Sequence, residues 1–462
     1  MTRNQQAETN EFLMTPEMSV LGAGKTFAIR TYGCQANVRD SETLSGLLKA
    51  MSFTEAEEEK DADVILFNTC AIRKNAEEHV LGEVGNLKPL KKKDPEKIFV
   101  LCGCMAQEEG VVNTLIRKYP QVDIIFGTHN LDRFPELLAD FMRRRQRIVD
   151  VESIEGRITE GMPVSRTHRH KAYVNIMYGC DKFCTYCIVP YTRGKERSRK
   201  MEHILEEIRE FKASGGKEVT LLGQNVNAYG KDLQMQDGFT QLLEQCALTG
   251  IDRIRFYTSH PRDYTSSTID VMAKYDNIMN SLHLPVQSGS DEILKKMNRG
   301  YTSSRYFELY DEIKAKIPQM TFTTDIIVGF PQETEEQFED TLKLADYCQF
   351  DAAFTFIYSP REGTPAAAMP DDIPAEVKKE RLERLNERIG MYARQKNEQY
   401  VGKTVEVLCD GISKKNDHVY AGYSADNKLV NFTADQVYAG DLVKVKITEA
   451  RSYSLNGEME EN

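Results

Sequence analysis

Gly179-Cys-Asp-Lys-Phe-Cys-Thr-Tyr-Cys-Ile-Val-Pro190 sets Cys180, Cys184 and Cys187 at C-x3-C-x2-C spacing, directly after the apolar run Tyr173–Met177. The pattern predicts a strand that runs out into a cysteine loop. Three thiolates can hold three corners of a cubane iron–sulfur cluster. The fourth iron is then left without a protein ligand, open for chemistry. A structural zinc would want four closed ligands, and no fourth cysteine lies nearby. Simple electron carriers also complete a four-cysteine set. An open three-cysteine cluster is therefore the reading, with structural zinc, an electron carrier or a redox sensor as its rivals.

Working outward, the segment around the loop repeats strand then helix six times. The strands read at Tyr173–Met177, Glu218–Leu222, Ile254–Tyr257, Ser281–Leu284, Phe322–Val328 and Ala353–Ile357. Each leads into a turn of small or polar residues. Right-handed crossovers wind such units into a barrel whose site lies at the strands' carboxyl ends. Six units fall short of a closed eight-stranded barrel, so an open (βα)6 barrel is expected. Thr334-Glu335-Glu336-Gln337 reads as a capping box, a structural feature only.

Upstream, from about Lys25 to Val149, strands at Phe27–Arg30, Val64–Asn68, Ile98–Leu101 and Val122–Phe126 alternate with helical stretches. This is the signature of a parallel sheet with crossover helices. Cys34, Cys70 and Cys104 each follow one of the first three strands, and the carboxyl ends of such strands share an edge. They form a second candidate three-thiolate set. Cys102, two residues before Cys104, competes for the same role, although mid-strand it reads as core. Downstream, a charged helix over Ala375–Lys396 carries a stripe of Leu382, Leu385, Ile389 and Tyr392, which reads as packing. From Gly402 onward, short alternating strands suggest a small antiparallel barrel of about OB size. Cys246, Cys348 and Cys409 read as buried packing residues, and His79, His129 and His283 receive no ligand role.

The chain has 462 residues, 40% hydrophobic and 28% charged, the composition of an ordinary globular protein. That length exceeds the roughly 250–300 residues one core supports. The boundaries read as a flexible extension over 1–24, an α/β domain over 25–149, a linker over 150–170, the barrel core over 171–396 and the small β-barrel over 397–460. No apolar run approaches the roughly 18 residues that span a bilayer, and a cytoplasmic protein is expected. Net charge is −11, yet residues 161–200 hold nine Lys/Arg against two acidic residues. A polyanion could dock on such a stretch with strong salt dependence; a solvated basic loop would look the same. Residues 395–462 carry eight basic and eleven acidic side chains, so charge lends the small barrel no RNA-binding support.

Several motifs together carry a resemblance along nearly the whole chain. They are Tyr32-Gly33-Cys34-Gln35, Asn68-Thr69-Cys70, Gly103-Cys104-Met105-Ala106-Gln107, the C-x3-C-x2-C run and Thr324-Asp325-Ile326-Ile327-Val328-Gly329-Phe330-Pro331. The chain resembles the radical S-adenosylmethionine methylthiotransferases, which join a cysteine-bearing N-terminal domain, a radical core and a small C-terminal barrel called TRAM. The resemblance selects Cys104 over Cys102. Gln35, the continuation Ala71-Ile72-Arg73 and Tyr358-Ser359-Pro360-Arg361-Glu362-Gly363-Thr364-Pro365-Ala366 look like the branch acting on isopentenylated adenosine in tRNA. Sibling branches act on threonylcarbamoyl-adenosine or on an aspartate of ribosomal protein S12. Gln332 stands where the family pattern has glycine.

The resemblance implies two 4Fe–4S clusters and S-adenosylmethionine, both as radical source and as methyl donor. Cys180, Cys184 and Cys187 would hold the cluster that cleaves S-adenosylmethionine reductively. Cys34, Cys70 and Cys104 would hold an auxiliary cluster that carries sulfur. The C–H bond at adenine carbon 2 is not acidic, so side-chain acid–base chemistry cannot open it and a cofactor must. The backbone at Tyr186 would face the adenine of S-adenosylmethionine, and Gln224, Asn225, Ser259, Gln287 and Asp325 are candidates to hold its polar groups. Arg193, Lys195, Arg197 and Arg199 are expected to grip phosphates of a tRNA anticodon loop, where bases can be splayed out. An external electron donor and sulfur source are expected as well.

Overall fold

The computed structural model describes residues 8–71, 74–151, 157–413 and 416–460. The Ile72-Arg73 pair of the branch motif, the first seven residues and part of the linker lie outside these. The first unit is a six-stranded, wholly parallel sheet. Its two central strands, Val64–Thr69 and Ile98–Gly103, are buried along their whole length. Continuous apolar runs are what a sheet covered on both faces requires. Helices Gln35–Ala50 and Phe134–Arg144 bury Leu44, Leu48 and Phe141 against one face, while Val80, Val84 and Leu115 cover the other. Two edge strands, Thr54–Glu55 and Ile148–Asp150, extend the sheet beyond the four read from sequence.

The extension is anchored over its described part. Glu8–Glu11 pairs in parallel with Arg157–Glu160, tying the start of the chain to the segment that enters the core.

The core comprises six parallel strands in two groups of three. Lys171–Asn175, Glu218–Leu222 and Arg253–Phe256 form one; Ser281–His283, Thr321–Val328 and Ala352–Ile357 form the other. A single parallel bridge, Ile254 to Ile278, joins them into one arc. The arc is an open barrel, as six units imply. Along Thr321–Val328 the side chains alternate: Phe322, Ile326 and Val328 enter the helix-side core, whereas Thr323, Asp325 and Ile327 are only partly buried. The capping box forms as read, with Thr334 accepting from the Gln337 backbone N–H.

Helix Ala375–Glu398 packs Leu385 and Ile389 on the core and leads to a closed five-stranded barrel. Its last strand, Leu455–Met459, escaped the sequence reading. The barrel is also not purely antiparallel, because Leu455–Glu458 runs parallel to Val430–Thr433. It stands on the amino-terminal edge of the core strands. Arg253 donates to the Tyr423 carbonyl at 2.8 Å, Thr321 to the Asp426 carbonyl at 2.9 Å, and Lys428 pairs with Asp351 at 2.6 Å.

Candidate functional site

The cysteine loop leaves the carboxyl end of strand Lys171–Asn175, at the opposite edge from the small barrel. Gly179 has φ +75°, and a Cβ there would fall 2.0 Å from the Lys195 carbonyl. Only glycine admits this crossing of backbones. The loop is held by its own chain. Cys180 N–H donates to the Gly194 carbonyl at 3.0 Å, Cys187 N–H to the Cys184 carbonyl at 2.9 Å, and Gly179 N–H to Gln224 Oε1 at 2.5 Å. Burial, with the neighbouring Cys187 and Cys184, pushes the Cys180 thiol up to about 12; burial and Cys184 push Cys187 up to about 11. Arg299 donates to the remaining thiol of the set, Cys184 Sγ, at 3.4 Å.

The second set gathers at the carboxyl edge of the first sheet. Cys34 sits at the N-cap of helix Gln35–Ala50, Cys70 follows strand Val64–Thr69, and Cys104 opens the 3-10 turn Cys104–Gln107. Gly33 has φ +119°, and a Cβ there would lie 2.5 Å from Cys70 Cβ, so its absence lets the first turn close on the second. Burial raises the Cys104 thiol, Arg193 opposes it and Cys34 adds to it, which places Cys34 within charge reach of Cys104. Cys102 instead packs with Val100 and Phe126 inside the sheet–helix core, as its mid-strand position suggested.

The two sets meet. Ile188, next to Cys187, packs against Cys104 and Ala71. The short helix Val189–Arg193 then carries Arg193 to Cys104, whose Sγ accepts from Arg193 Nε at 3.3 Å. Thr128 Oγ1 seals the same seam by donating to the Thr192 carbonyl at 2.8 Å.

The ten cysteines stand outside any disulfide. Among the described residues, no three His, Cys, Asp or Glu side chains converge as a single-ion site. A cubane does not ask for that convergence, because it spreads its thiolates over separate iron corners. Two three-thiol sets, each with two buried cysteines and one half-buried and each with a guanidinium donating to one sulfur, fit thiolate-ligated clusters.

The candidate cofactor residues surround the first set. Tyr186 packs with Met297, Phe330 and Tyr358. Asn225 donates to Asp263 Oδ2 at 2.8 Å, and Asp263 also pairs with Lys182 of the cysteine loop at 2.9 Å and with Lys231 at 2.8 Å. Burial would raise the Asp263 carboxyl, but Lys231, Asn225 and Lys182 outweigh it and hold it well below the usual range. Gln287, at φ +74°, bridges to Ile326, and its N–H donates to the Asp325 carbonyl at 2.8 Å. Asp325 lies mid-strand rather than at a strand end, 3.4 Å from His283 Nε2. His283, read as isolated, is thus part of an inward-facing polar pair flanked by Tyr257 and Phe354.

Two residues missed from sequence stand beside Ser259. Arg262 N–H donates to His260 Nδ1 at 3.3 Å, which leaves the proton of a neutral ring on Nε2. Burial, reinforced by Arg299, holds that ring neutral. His260 Nε2, Ser259 Oγ, Asn225 Oδ1 and Asn227 Nδ2 are buried without a hydrogen-bond partner among the described residues. Buried polar atoms rarely stay unpaired, so the cluster reads as a ligand cradle. Its sequence signal is the Ser259-His260-Pro261 turn after the third core strand.

The basic stretch is corrected by its partners. Arg193 pairs with Asp40 at 2.8 Å, and Arg199 with Glu160 at 2.6 Å and Glu207 at 2.8 Å. Arg197 is buried and donates to the Arg193 carbonyl. These three are internal cations rather than a phosphate-gripping face; Lys195 alone of the four is exposed. Arg39, Arg166 and Arg199 converge on Glu207 beside a polar cavity of about 1010 Å³ between the first unit and the core.

Residues 26–127 match the uncharacterized protein family UPF0004, 174–345 the radical SAM superfamily and 398–459 the TRAM domain. A tRNA-2-methylthio-N(6)-dimethylallyladenosine synthase from Halalkalibacterium halodurans is 56% identical over 450 residues, covering 97% of this chain and 84% of that protein. The chain belongs to the tRNA-2-methylthio-N(6)-dimethylallyladenosine synthase family. Members from Bacillus cytotoxicus and Staphylococcus haemolyticus are 55% and 53% identical, covering 98% of this chain and 89% and 88% of theirs. Among solved structures, the radical S-adenosylmethionine methyltransferase TsrM from Kitasatospora setae, with cobalamin and a [4Fe-4S] cluster bound, aligns with a TM-score of 0.53 at 12% identity. It covers 74% of this chain and 76% of its own and supports the fold alone.

Proposed function

We propose that this chain is a radical S-adenosylmethionine enzyme that places a methylthio group on carbon 2 of N6-isopentenyladenosine, beside the anticodon of tRNA. The observation that carries the reading is the meeting of two three-thiol sets through Ile188 and Arg193. One thiol set suffices for cleaving S-adenosylmethionine; sulfur insertion calls for a second set close by. Cys180, Cys184 and Cys187 would hold one 4Fe–4S cluster and Cys34, Cys70 and Cys104 the other. When bound, these groups supply reductive cleavage of S-adenosylmethionine and the sulfur to be transferred.

The chain's own residues position and shield. Gln224 and the Gly194 carbonyl fix the cysteine loop. Asp263 clamps Lys182 to the strand end and orients Asn225. Ser259, Asn225 and the Nε2–H of His260 offer unpaired polar atoms to S-adenosylmethionine, with Gln287, Asp325 and the backbone at Tyr186 on the same side of the core. Among the described residues no helix is long and apolar enough to cross a membrane. We place the reaction in the cytoplasm with its tRNA, fed by an external electron donor and an external sulfur source.

The test is mass spectrometry of tRNA nucleosides from cells with and without the gene. Loss of the methylthio-isopentenyl nucleoside, with accumulation of its precursor lacking that group, is the expected result. Its persistence, with loss of a threonylcarbamoyl derivative or an unmodified ribosomal protein, would reassign the chain to a sibling branch.

A further inference from the structure

The dipeptide Arg193-Gly194 touches both thiol sets. The Gly194 carbonyl accepts from Cys180 N–H at 3.0 Å, and the Arg193 side chain donates to Cys104 Sγ at 3.3 Å. Arg193 is 6% exposed and leaves the loop to reach the first unit. There its other arm pairs with Asp40 at 2.8 Å, on the helix that Cys34 caps. A fully charged fork has thus been taken out of water to lie on a thiol. Such burial costs several kcal/mol unless compensated, and Asp40 compensates it without using the Nε–H aimed at the sulfur.

We infer that Arg193 and Asp40 form a tuning pair for the cluster on Cys34, Cys70 and Cys104, with Arg193 a positioning residue for sulfur transfer rather than an RNA contact. The inference rests on the reading that those three cysteines ligate a cluster. Hydrogen bonds to ligating sulfurs and local charge are the levers by which a protein sets an iron–sulfur potential. A cation on Cys104 favours the reduced, more negative state. Asp40 moderates that cation from the side away from the sulfur. Because Arg193 and Gly194 are adjacent, a single peptide joins the Cys180 loop to the sulfur of the other set. Arg299 gives Cys184 an equivalent donor, so each set has its own guanidinium.

The experiment uses the full-length protein with Cys180, Cys184 and Cys187 changed to Ala and the remaining cluster reconstituted. Iron is counted, and the potential is read by anaerobic titration with electron paramagnetic resonance. Adding Arg193→Gln should lower the reduced-to-oxidised ratio at fixed applied potential at least tenfold, about 59 mV for one electron. Adding Asp40→Asn should raise it, and Arg193→Lys should fall between parent and Gln. Opposite signs for the two partners cannot come from a merely structural role. Full iron with ratios unmoved in both variants would overturn the tuning. So would iron lost in Arg193→Gln but kept at the parent potential in Arg193→Lys. A parent without iron would instead overturn the ligand reading beneath it.

Discussion

Glu207→Gln tests the seam between the first unit and the core. Glu207 accepts from Arg39 at 3.0 Å, from Arg166 at 2.7 Å and from Arg199 at 2.8 Å, with its side chain 16% exposed. Burial alone would raise this carboxyl, but Arg39, Arg199 and Arg166 outweigh it and bring it from 4.5 down to about 2. At about 1.4 kcal/mol per tenfold, that depression corresponds to about 3 kcal/mol. Removing one partner of a buried pair costs about 3–5 kcal/mol, so the two routes agree. For a domain of this size, about 3 kcal/mol lowers the melting temperature by about 6–12 °C. The depressed carboxylate stabilises fully above its unfolded value and loses that contribution as pH falls toward about 2. Glutamine does not titrate. Calorimetry of both proteins across pH should therefore show a constant gap above about pH 5 that closes on acidification. A gap under about 1 kcal/mol at neutral pH, or one as wide at about pH 3 as at neutral pH, would refute the reasoning.

Three further outcomes follow from the same structure. Gly179→Ala drives a methyl group into the Lys195 carbonyl and should cost the first thiol set its iron, measured as about half the parent's content; full iron would show that the backbone crossing is not required. Replacing Cys34, Cys70 or Cys104 with Ala should abolish methylthio product while deoxyadenosine release persists, both read by mass spectrometry of one reaction, and retained product would remove that cysteine from the set. Gln332 is exposed at φ +64°, where an L side chain costs about 1–2 kcal/mol. Gln332→Gly should thus raise stability by about 1 kcal/mol in denaturant, and a loss would mean the Gln side chain contributes more than its strain.

The strands of the sheet and core were legible because each is a run of apolar, often β-branched residues ending in a small or polar turn. Thr54–Glu55 and Ile148–Asp150 were not, being too short to show alternation. The six cysteines stood out because their places after strands put them on shared edges. What sequence could not show was pairing across distance. Arg166, Arg193 and Arg199, three of the nine basic residues between 161 and 200, look like part of a cationic face only while Asp40, Glu160 and Glu207 stay out of sight. The tautomer of His260 and the reach of Arg299 to Cys184 likewise arise from tertiary contacts with no spacing of their own.

The small barrel and the cysteine loop occupy opposite edges of one sheet, separated by strands such as Thr321–Val328. Eight residues of strand span about 25 Å. A polymer gripped at the barrel must run that distance along the flank before a base can enter the site. A free nucleoside offers no such length, whereas a stem with its loop does. The core sheet therefore fixes the span, about 25 Å, that any single ligand touching both edges has to cover.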